Sequence, residues 1–342
     1  MSLLYYKKIY VVAPYKYASG GPELAHQLVD YLRNKGREAY IVYIEPENNC
    51  EVVTQNPLVT EQYKKYNISV SNNIEDDQNN VVVIPESFLI CVPKFRKIQV
   101  CVWWMSVDNA LAWNRNFIES FKHTYTLHDK LWIIRHIRLY TNNYSMKKLR
   151  LEDHRLIHFY QATYIQQFLY AQNLDRIVRL SDYINPEIIT NVDISKKKED
   201  IILYNPSKGI HYTKKLMKLM FNYKFIPLKG FNHKQLNDIF DRAKVYIDFG
   251  PFPGKDRLPR EAAIHNCCII TGKFGASKYF EDIPIDSKYK FDLLHVNFKA
   301  IKNRIDEIFN NYDECLKDFQ YMRESIRNEQ ENFYREVDKI FL

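Results

Sequence analysis

The feature that most constrains this chain is an alternation of short branched apolar runs with amphipathic stretches, which stops midway and starts again. Lys8-Ile-Tyr-Val-Val-Ala13 is apolar, rich in β-branched side chains and too short for a buried helix, so it reads as a strand. A Gly20-Gly21 turn follows, and then Leu24, Leu28, Tyr31 and Leu32 fall on one face of a helix. Gly36 ends that helix and Ala39-Tyr-Ile-Val-Tyr-Ile44 is the next strand. Two parallel strands joined through a helix need a crossover, which is right-handed in nearly every known case. Residues 81–84, 98–103, 158–160 and 177–180 are further strand candidates, with a helix over 164–171.

After a polar linker at 193–200 the alternation resumes. Strands are expected at 201–204, 225–228, 245–249 and 267–271, separated by helices at 212–221, 234–243 and 259–266. The segments 299–312 and 313–338 read as helices. The expected fold is therefore α/β, with two tandem Rossmann-like doubly wound domains, 1–192 and 200–298. Residues 299–342 form C-terminal helices, the last expected to pack back on the N-terminal domain. In open sheets of this kind ligands bind beyond the carboxyl ends of the strands, which places the expected site in an interdomain cleft. Residues 48–80 are polar and read as an irregular insertion, while the aromatic and basic stretch 110–153 is read as two helices.

Composition narrows the partners. The formal net charge of +8 over 342 residues admits an anionic small molecule, an anionic membrane surface or nucleic acid. The longest basic run, Lys196-Lys-Lys198, stands beside Glu199 and Asp200 and reads as a solvated linker. Without a recognisable module beside it, charge gives nucleic-acid binding little support, and none is expected. Six cysteines are scattered without metal-site spacing, as expected of small core residues in a reducing compartment. The apolar run near the N-terminus is too short for a signal peptide, and no stretch approaches the length of a membrane span. The expected location is cytoplasmic, with peripheral contact at an anionic membrane face left open.

One loop carries most of the chemical information. Gly250-Pro-Phe-Pro-Gly-Lys-Asp-Arg-Leu-Pro-Arg-Glu261 lies between an expected strand and a helix expected to open at Pro259. Proline suits a helix start because its missing N–H has no intrahelical partner there. Two glycines, Lys255, Arg257 and Arg260 at the positive end of a helix suit an anion.

Taken in order along the chain, these segments resemble the two-domain GT-B glycosyltransferases, particularly those that build bacterial surface polysaccharides and lipopolysaccharide, with a GT4-like C-terminal half. Asn205-Pro-Ser-Lys-Gly209 is similar to the loop that faces the donor diphosphate, and Leu228-Lys-Gly-Phe231 to the loop that packs on the nucleotide base. Gly254 through Glu261, followed by Cys268-Ile-Ile-Thr271, resembles the donor-binding loop, helix and strand. The resemblance implies that Glu261 contacts the donor ribose. Gly20-Gly-Pro-Glu23 resembles the glycine-rich first loop that faces sugar and acceptor. The likeness covers roughly residues 5–45 and 200–285. Many retaining members carry two glutamates with seven residues between them, the later at the Glu261 position, and the earlier position here is Pro253. Retention against inversion is therefore open.

Transfer from a nucleotide sugar builds negative charge on the leaving diphosphate, which prearranged cations and helix N–H groups stabilise. The donor-binding set implied is Gly20, Gly21, Lys208, Gly209, Gly230, Phe231, Gly254, Lys255, Asp256, Arg257, Arg260 and Glu261. No Asp-x-Asp motif occurs, so no metal and no cofactor are expected; the nucleotide sugar is itself the substrate. A general base for an inverting reaction is sought among Glu86 and Asp108, each following an expected buried strand, and Glu23. His26 lies off the apolar face of its helix and is expected at the surface or on the acceptor side. Trp103 and Trp104 continue a strand, which favours core packing over sugar stacking.

The leading expectation is a glycosyltransferase, hexosyltransferase in type, acting on a glycan or lipid-linked acceptor. A sugar-nucleotide epimerase and a degenerate transferase used as an assembly subunit share the architecture, because fold does not fix function.

Overall fold

The computed structural model describes residues 6–45, 51–55, 57–113, 121–122, 124, 127–135, 144–193 and 195–342. The chain divides into two compact units, one of residues 1–182 with 331–342 and one of residues 183–330.

The first unit is built on a seven-stranded sheet. Its strands are β1 (Lys8–Pro14), β2 (Glu38–Glu45), β3 (Glu51–Val52), β4 (Asn80–Pro85), β5 (Gln99–Trp104), β6 (Leu156–Tyr160) and β7 (Ile177–Arg179), in the spatial order β3-β2-β1-β4-β5-β6-β7. All neighbours are parallel except β2 and β3. Every residue of β4 is buried, as expected of a parallel strand covered on both faces, where an unbroken apolar run replaces alternation. The helix Gly20–Asn34 buries Leu24, Leu28, Tyr31 and Leu32 as its periodicity implies.

Trp103 and Trp104 are core residues. The Trp103 indole donates to the Leu180 carbonyl at 3.0 Å and its ring stacks on Phe333. Trp104 donates to His158 Nδ1 at 3.0 Å, so His158 carries its proton on Nε2, which donates a hydrogen bond to Asp153 Oδ1 at 2.7 Å. The last helix, Glu329–Phe341, places Phe333, Val337, Ile340 and Phe341 in the core, and Tyr334 stacks on Tyr31.

The expectation for His26 is corrected. It is fully buried, with Nδ1 at 2.7 Å from the Pro22 carbonyl, Nε2 at 2.7 Å from the Tyr43 hydroxyl and its ring stacked on Tyr63. Burial lowers its pKa to about 4, so it is neutral at physiological pH. Its polar face is met by tyrosines from β2 and from the insertion, a pairing that helix periodicity does not reveal. In the stretch 110–153, read as two helices, the described residues include the end of the helix Val107–Trp113 and the helices Leu127–Arg135 and Met146–Glu152. Cys101, Cys267, Cys268 and Cys315 are free and buried, while Cys91 departs from the reading by being disulfide-bonded.

The second unit carries a five-stranded parallel sheet of β8 (Glu199–Tyr204), β9 (Lys224–Pro227), β10 (Ala243–Asp248), β11 (Cys268–Gly272) and β12 (Lys290–Phe291), in the order β12-β11-β10-β8-β9. The loops that leave β8, β9, β10 and β11 therefore emerge at one edge. Lys198 is not simply solvated: its ammonium donates to the carbonyls of Phe240, Ala243 and His265 and closes the opposite end of this sheet. The helix after the glycine loop starts at Arg257, two residues earlier than expected, with Asp256 as its N-cap. Pro259 still falls within the first turn, where backbone N–H groups lack intrahelical partners.

Candidate functional site

At the carboxyl edge of the second sheet the β8 and β10 loops pack backbone against backbone. Gly209 has φ +56, and a Cβ there would lie 2.3 Å from the carbonyl carbon of Phe249. A Cβ on Gly250 would lie 2.2 Å from that of Lys208. Only glycine fits either position. Gly209 is at once the N-cap of the helix Ile210–Leu219, so the close approach places two helix starts, at Ile210 and Arg257, beside the same pair of loops.

A buried carboxylate ties the two loops together. Asp248, the last residue of β10, accepts from the Gly250 N–H at 3.0 Å, from the Tyr246 hydroxyl at 3.0 Å and from the Asn205 amide at 3.3 Å. Burial raises its pKa to about 6, opposed chiefly by the charge of Lys208. On its far side the β10 loop is held by the turn after β11. The Phe252 carbonyl accepts from Ala276 N–H at 2.8 Å, and Gly275, at φ +60, leaves room for that carbonyl.

The structure brings most of the sequence-read donor residues of this unit into one region. Lys208 ion-pairs with Asp256 and its ammonium stands over the ring of Phe252. Burial raises the pKa of Asp256, and Lys208 opposes it. Arg257 Nε lies 3.3 Å from Glu261 Oε1, one helical turn on. Gly254 is buried in the loop. Gly230 turns the β9 loop with φ +79, and Phe231 beside it is 37% exposed, so the aromatic is presented at the surface. Leu228 N–H donates to the Tyr204 carbonyl at 2.9 Å, which anchors this loop to the end of β8.

Arg260 is placed differently from a ligand-facing cation. It is 1% exposed; Nη1 donates to Glu329 at 2.8 Å, Nη2 to the Lys255 carbonyl at 2.9 Å and Nε to the Asp256 carbonyl at 3.2 Å. Lys255 Nζ lies 2.7 Å from the other Glu329 oxygen. Glu329, which meets both cations, is not singled out by the sequence reading. It opens the helix Glu329–Phe341, within the segment 313–338, read as helix, which the structure divides into Tyr312–Lys317, Gln320–Arg327 and this one, and nothing local marks it.

In the first unit, Gly20 and Gly21 open the helix after β1, and a Cβ on Gly21 would meet only the thioether end of Met105 at 3.8 Å. Glu23 accepts from the Tyr66 hydroxyl at 3.0 Å. Asp108 occupies the first turn of Val107–Trp113, behind Ser106, whose hydroxyl oxygen accepts from Asn109 N–H at 3.1 Å. Glu86 follows β4 and is 2% exposed, its Oε2 accepting from Met105 N–H at 3.0 Å. Burial pushes its pKa up to about 7 against the pull of backbone N–H groups at Met105, Glu86 and Ser106. Such a carboxyl is balanced between its two protonation states at neutral pH.

Among the described residues no group of three His, Cys, Asp or Glu side chains is placed to hold a metal ion, and no helix is long and apolar enough to cross a membrane.

No family model and no curated relative matches the sequence. Solved structures do match. Sucrose-phosphate synthase from Thermosynechococcus elongatus is 10% identical, with 97% of this chain and 98% of that chain covered at a TM-score of 0.61. A glycosyltransferase from Rickettsia africae is 14% identical over 98% of this chain and 99% of that one, with a TM-score of 0.57. HepE from Anabaena, solved in complex with UDP, is 11% identical over 97% and 98%, with a TM-score of 0.55. Similarity of this kind over whole chains shows the fold: two Rossmann-like α/β domains, the architecture of GT-B glycosyltransferases.

Proposed function

We propose that this chain is a glycosyltransferase that moves a sugar from a nucleotide-sugar donor to a glycan or lipid-linked acceptor. The observation that carries the reading is the glycine-only approach of the β8 and β10 loops, which sets two helix N-termini and Lys208 around one spot. Positive helix ends, backbone N–H groups and a cation are what a departing diphosphate requires. HepE, which shares the fold, was solved with UDP and with UDP-glucose, and a uridine nucleotide is the first donor class to try.

In this reading Lys208 and Arg257 receive the leaving-group charge, Glu261 takes the ribose hydroxyls, and Phe231 lies against the base. The cations and helix ends do the work of a metal, so transfer proceeds without one. Glu86 suits the general base best of the three carboxylates, because its pKa near 7 lets it take a proton at neutral pH. Leu131, Trp132 and Ile134 are exposed on a helix that also carries Lys130 and Arg135, a composition suited to an anionic membrane surface where a lipid-linked acceptor resides. Flotation with anionic and with neutral vesicles tests that contact, and equal recovery in both rejects it.

Thermal-shift titration with UDP, GDP, CMP and dTDP sugars tests the donor assignment. One nucleotide class should stabilise the wild-type chain, and Lys208→Ala and Arg257→Ala should each lose most of that shift. Wild-type shifts in both variants would refute the assignment. Incubation with donor alone separates transfer from epimerisation, since only an epimerase returns an isomerised nucleotide sugar.

A further inference from the structure

The carboxylate of Glu329 lies 69 residues beyond Arg260 in sequence. It belongs to none of the segments that carry the GT-B resemblance. The helix Arg257–Ile264 packs against the helix Gln320–Arg327, and the short turn after the latter delivers Glu329 beneath the β10 loop. There its two oxygens divide between two cations, Oε1 taking Lys255 at 2.7 Å and Oε2 taking Arg260 at 2.8 Å. All three side chains are largely withdrawn from water, with Arg260 at 1% and Glu329 at 6% exposure. The remaining nitrogens of Arg260 hold the carbonyls of Lys255 and Asp256, the two residues that turn the loop into its helix.

We infer that Glu329 is a positioning residue for donor binding, holding Arg260 so that Arg260 fixes the backbone from Lys255 to the helix start at Arg257. The inference rests on the donor-site reading above. Its physical basis is the asymmetry of buried ion pairs. With Glu329 charged, the guanidinium is neutralised and its geometry is single-valued; with the charge removed, a buried guanidinium and ammonium are left sharing a neutral group. Both cations then gain by turning toward solvent. Arg260 can do so only by releasing the two carbonyls, and the loop loses the geometry that aims its N–H groups.

Lys255 therefore does not reach outward as a phosphate ligand in this arrangement. A purely local account of the sequence gives the opposite expectation, that freeing Lys255 and Arg260 from a carboxylate would strengthen anion binding.

Three variants decide between them: Glu329→Gln, which keeps shape and removes charge; Glu329→Asp, which keeps charge on a shorter arm; and Ile305→Val, a methylene deletion in the core of the same unit. Two quantities are read well below every melting temperature: donor Kd for the nucleotide sugar that stabilises the wild-type chain, and hydrogen exchange of peptides covering 250–260. Glu329→Gln should weaken donor binding about tenfold and speed exchange in 250–260, and Glu329→Asp should recover part of both. Ile305→Val should lower the melting temperature and move neither. Unchanged exchange in Glu329→Gln, or donor affinity equal to or above wild type, overturns the inference. If the wild-type chain binds no nucleotide sugar, the functional reading falls by itself. The exchange measurement then decides the positioning role, faster exchange sustaining it and unchanged exchange overturning it.

Discussion

Replacing Glu86 by glutamine should make the first unit more stable, and by an amount that depends on pH. The carboxyl is buried, and its pKa stands at about 7 against an ordinary 4.5. The folded protein therefore holds the proton more tightly than the unfolded chain does. The associated stability is fully present below pH 4.5 and is lost as pH rises through 7. A gap of about 2.5 pH units at 1.36 kcal/mol per unit amounts to about 3 kcal/mol of stability forgone by pH 8. Glutamine resembles the protonated acid in shape and in offering one acceptor oxygen, so Glu86→Gln should match wild type at pH 4.5 and exceed it by about 3 kcal/mol at pH 8.

His26 shapes the same pH window with the opposite sign. Its pKa is lowered from 6.5 to about 4, so its contribution is complete above 6.5 and is lost as pH falls through 4. In wild type the two trends offset each other between pH 4.5 and 6.5, and the first unit should show a flat profile there. Glu86→Gln removes one of them and exposes a stability that climbs with pH. The assay is direct, because all four tryptophans, at 103, 104, 113 and 132, belong to the first unit. Urea unfolding followed by tryptophan fluorescence reports that unit without interference from the other. A variant equally destabilised at pH 5 and pH 8 would refute the reasoning, since it would mean that the carboxyl is already ionised without penalty. If Glu86 is also the base, the stabilised variant loses turnover, as expected of a charge retained for function against stability.

Further outcomes follow from the second unit. Gly209→Ala places a methyl group against the Phe249 carbonyl at positive φ, which should cost about 2 kcal/mol or more and abolish nucleotide-dependent stabilisation; calorimetry checks both. Nucleotide-sugar binding should tighten as pH falls from 8 to 6 with uptake of protons, because Asp248 titrates at about 6, above its ordinary value, and a bound diphosphate raises it further. Titration calorimetry in two buffers of different ionisation heat measures that uptake, and Asp248→Asn should reduce it. His26→Phe keeps the ring stacked on Tyr63 but leaves the Tyr43 hydroxyl and the Pro22 carbonyl unmatched, a loss of about 1–3 kcal/mol visible in the tryptophan transition at pH 7.

Features written in local sequence were legible. The doubly wound architecture follows from alternation, since each buried parallel strand is a short unbroken apolar run and each helix has one apolar face. Gly209 and Gly250 stood out because glycine is scarce, with 9 in the chain, and both sit where strands end. What depends on distant partners was hidden. His26 looks like a surface residue until Tyr43 and Tyr63 arrive from other segments, the first to meet Nε2 and the second to stack on the ring, while Nδ1 is met by the Pro22 carbonyl of its own helix. Arg260 is indistinguishable in sequence from Arg257, three residues earlier. One helical face turns the first toward Glu329 and the other leaves the second half-buried beside Glu261. Pro259 misplaced the helix start because proline is tolerated throughout the first turn, so its presence bounds a start without fixing it.

The carboxyl edge of the second sheet also differs in kind from the cationic pocket that its sequence suggests. Lys208 faces Asp256, Arg257 faces Glu261, and Lys255 and Arg260 share Glu329. Four cations are thus met by three carboxylates, with Asp248 a fourth acid beneath the loops. An anion that binds here exchanges with carboxylates already in place; it does not fill an unopposed positive field. Exchange favours a ligand with two linked negative groups that can engage the helix ends and Lys208 together, and it disfavours a lone phosphate, which gains too little to displace Asp256. Internal pairing also keeps the loop ordered before the ligand arrives, so less ordering entropy is lost on binding. A loop built from the same cations without the carboxylates would attract anions more strongly and discriminate among them less.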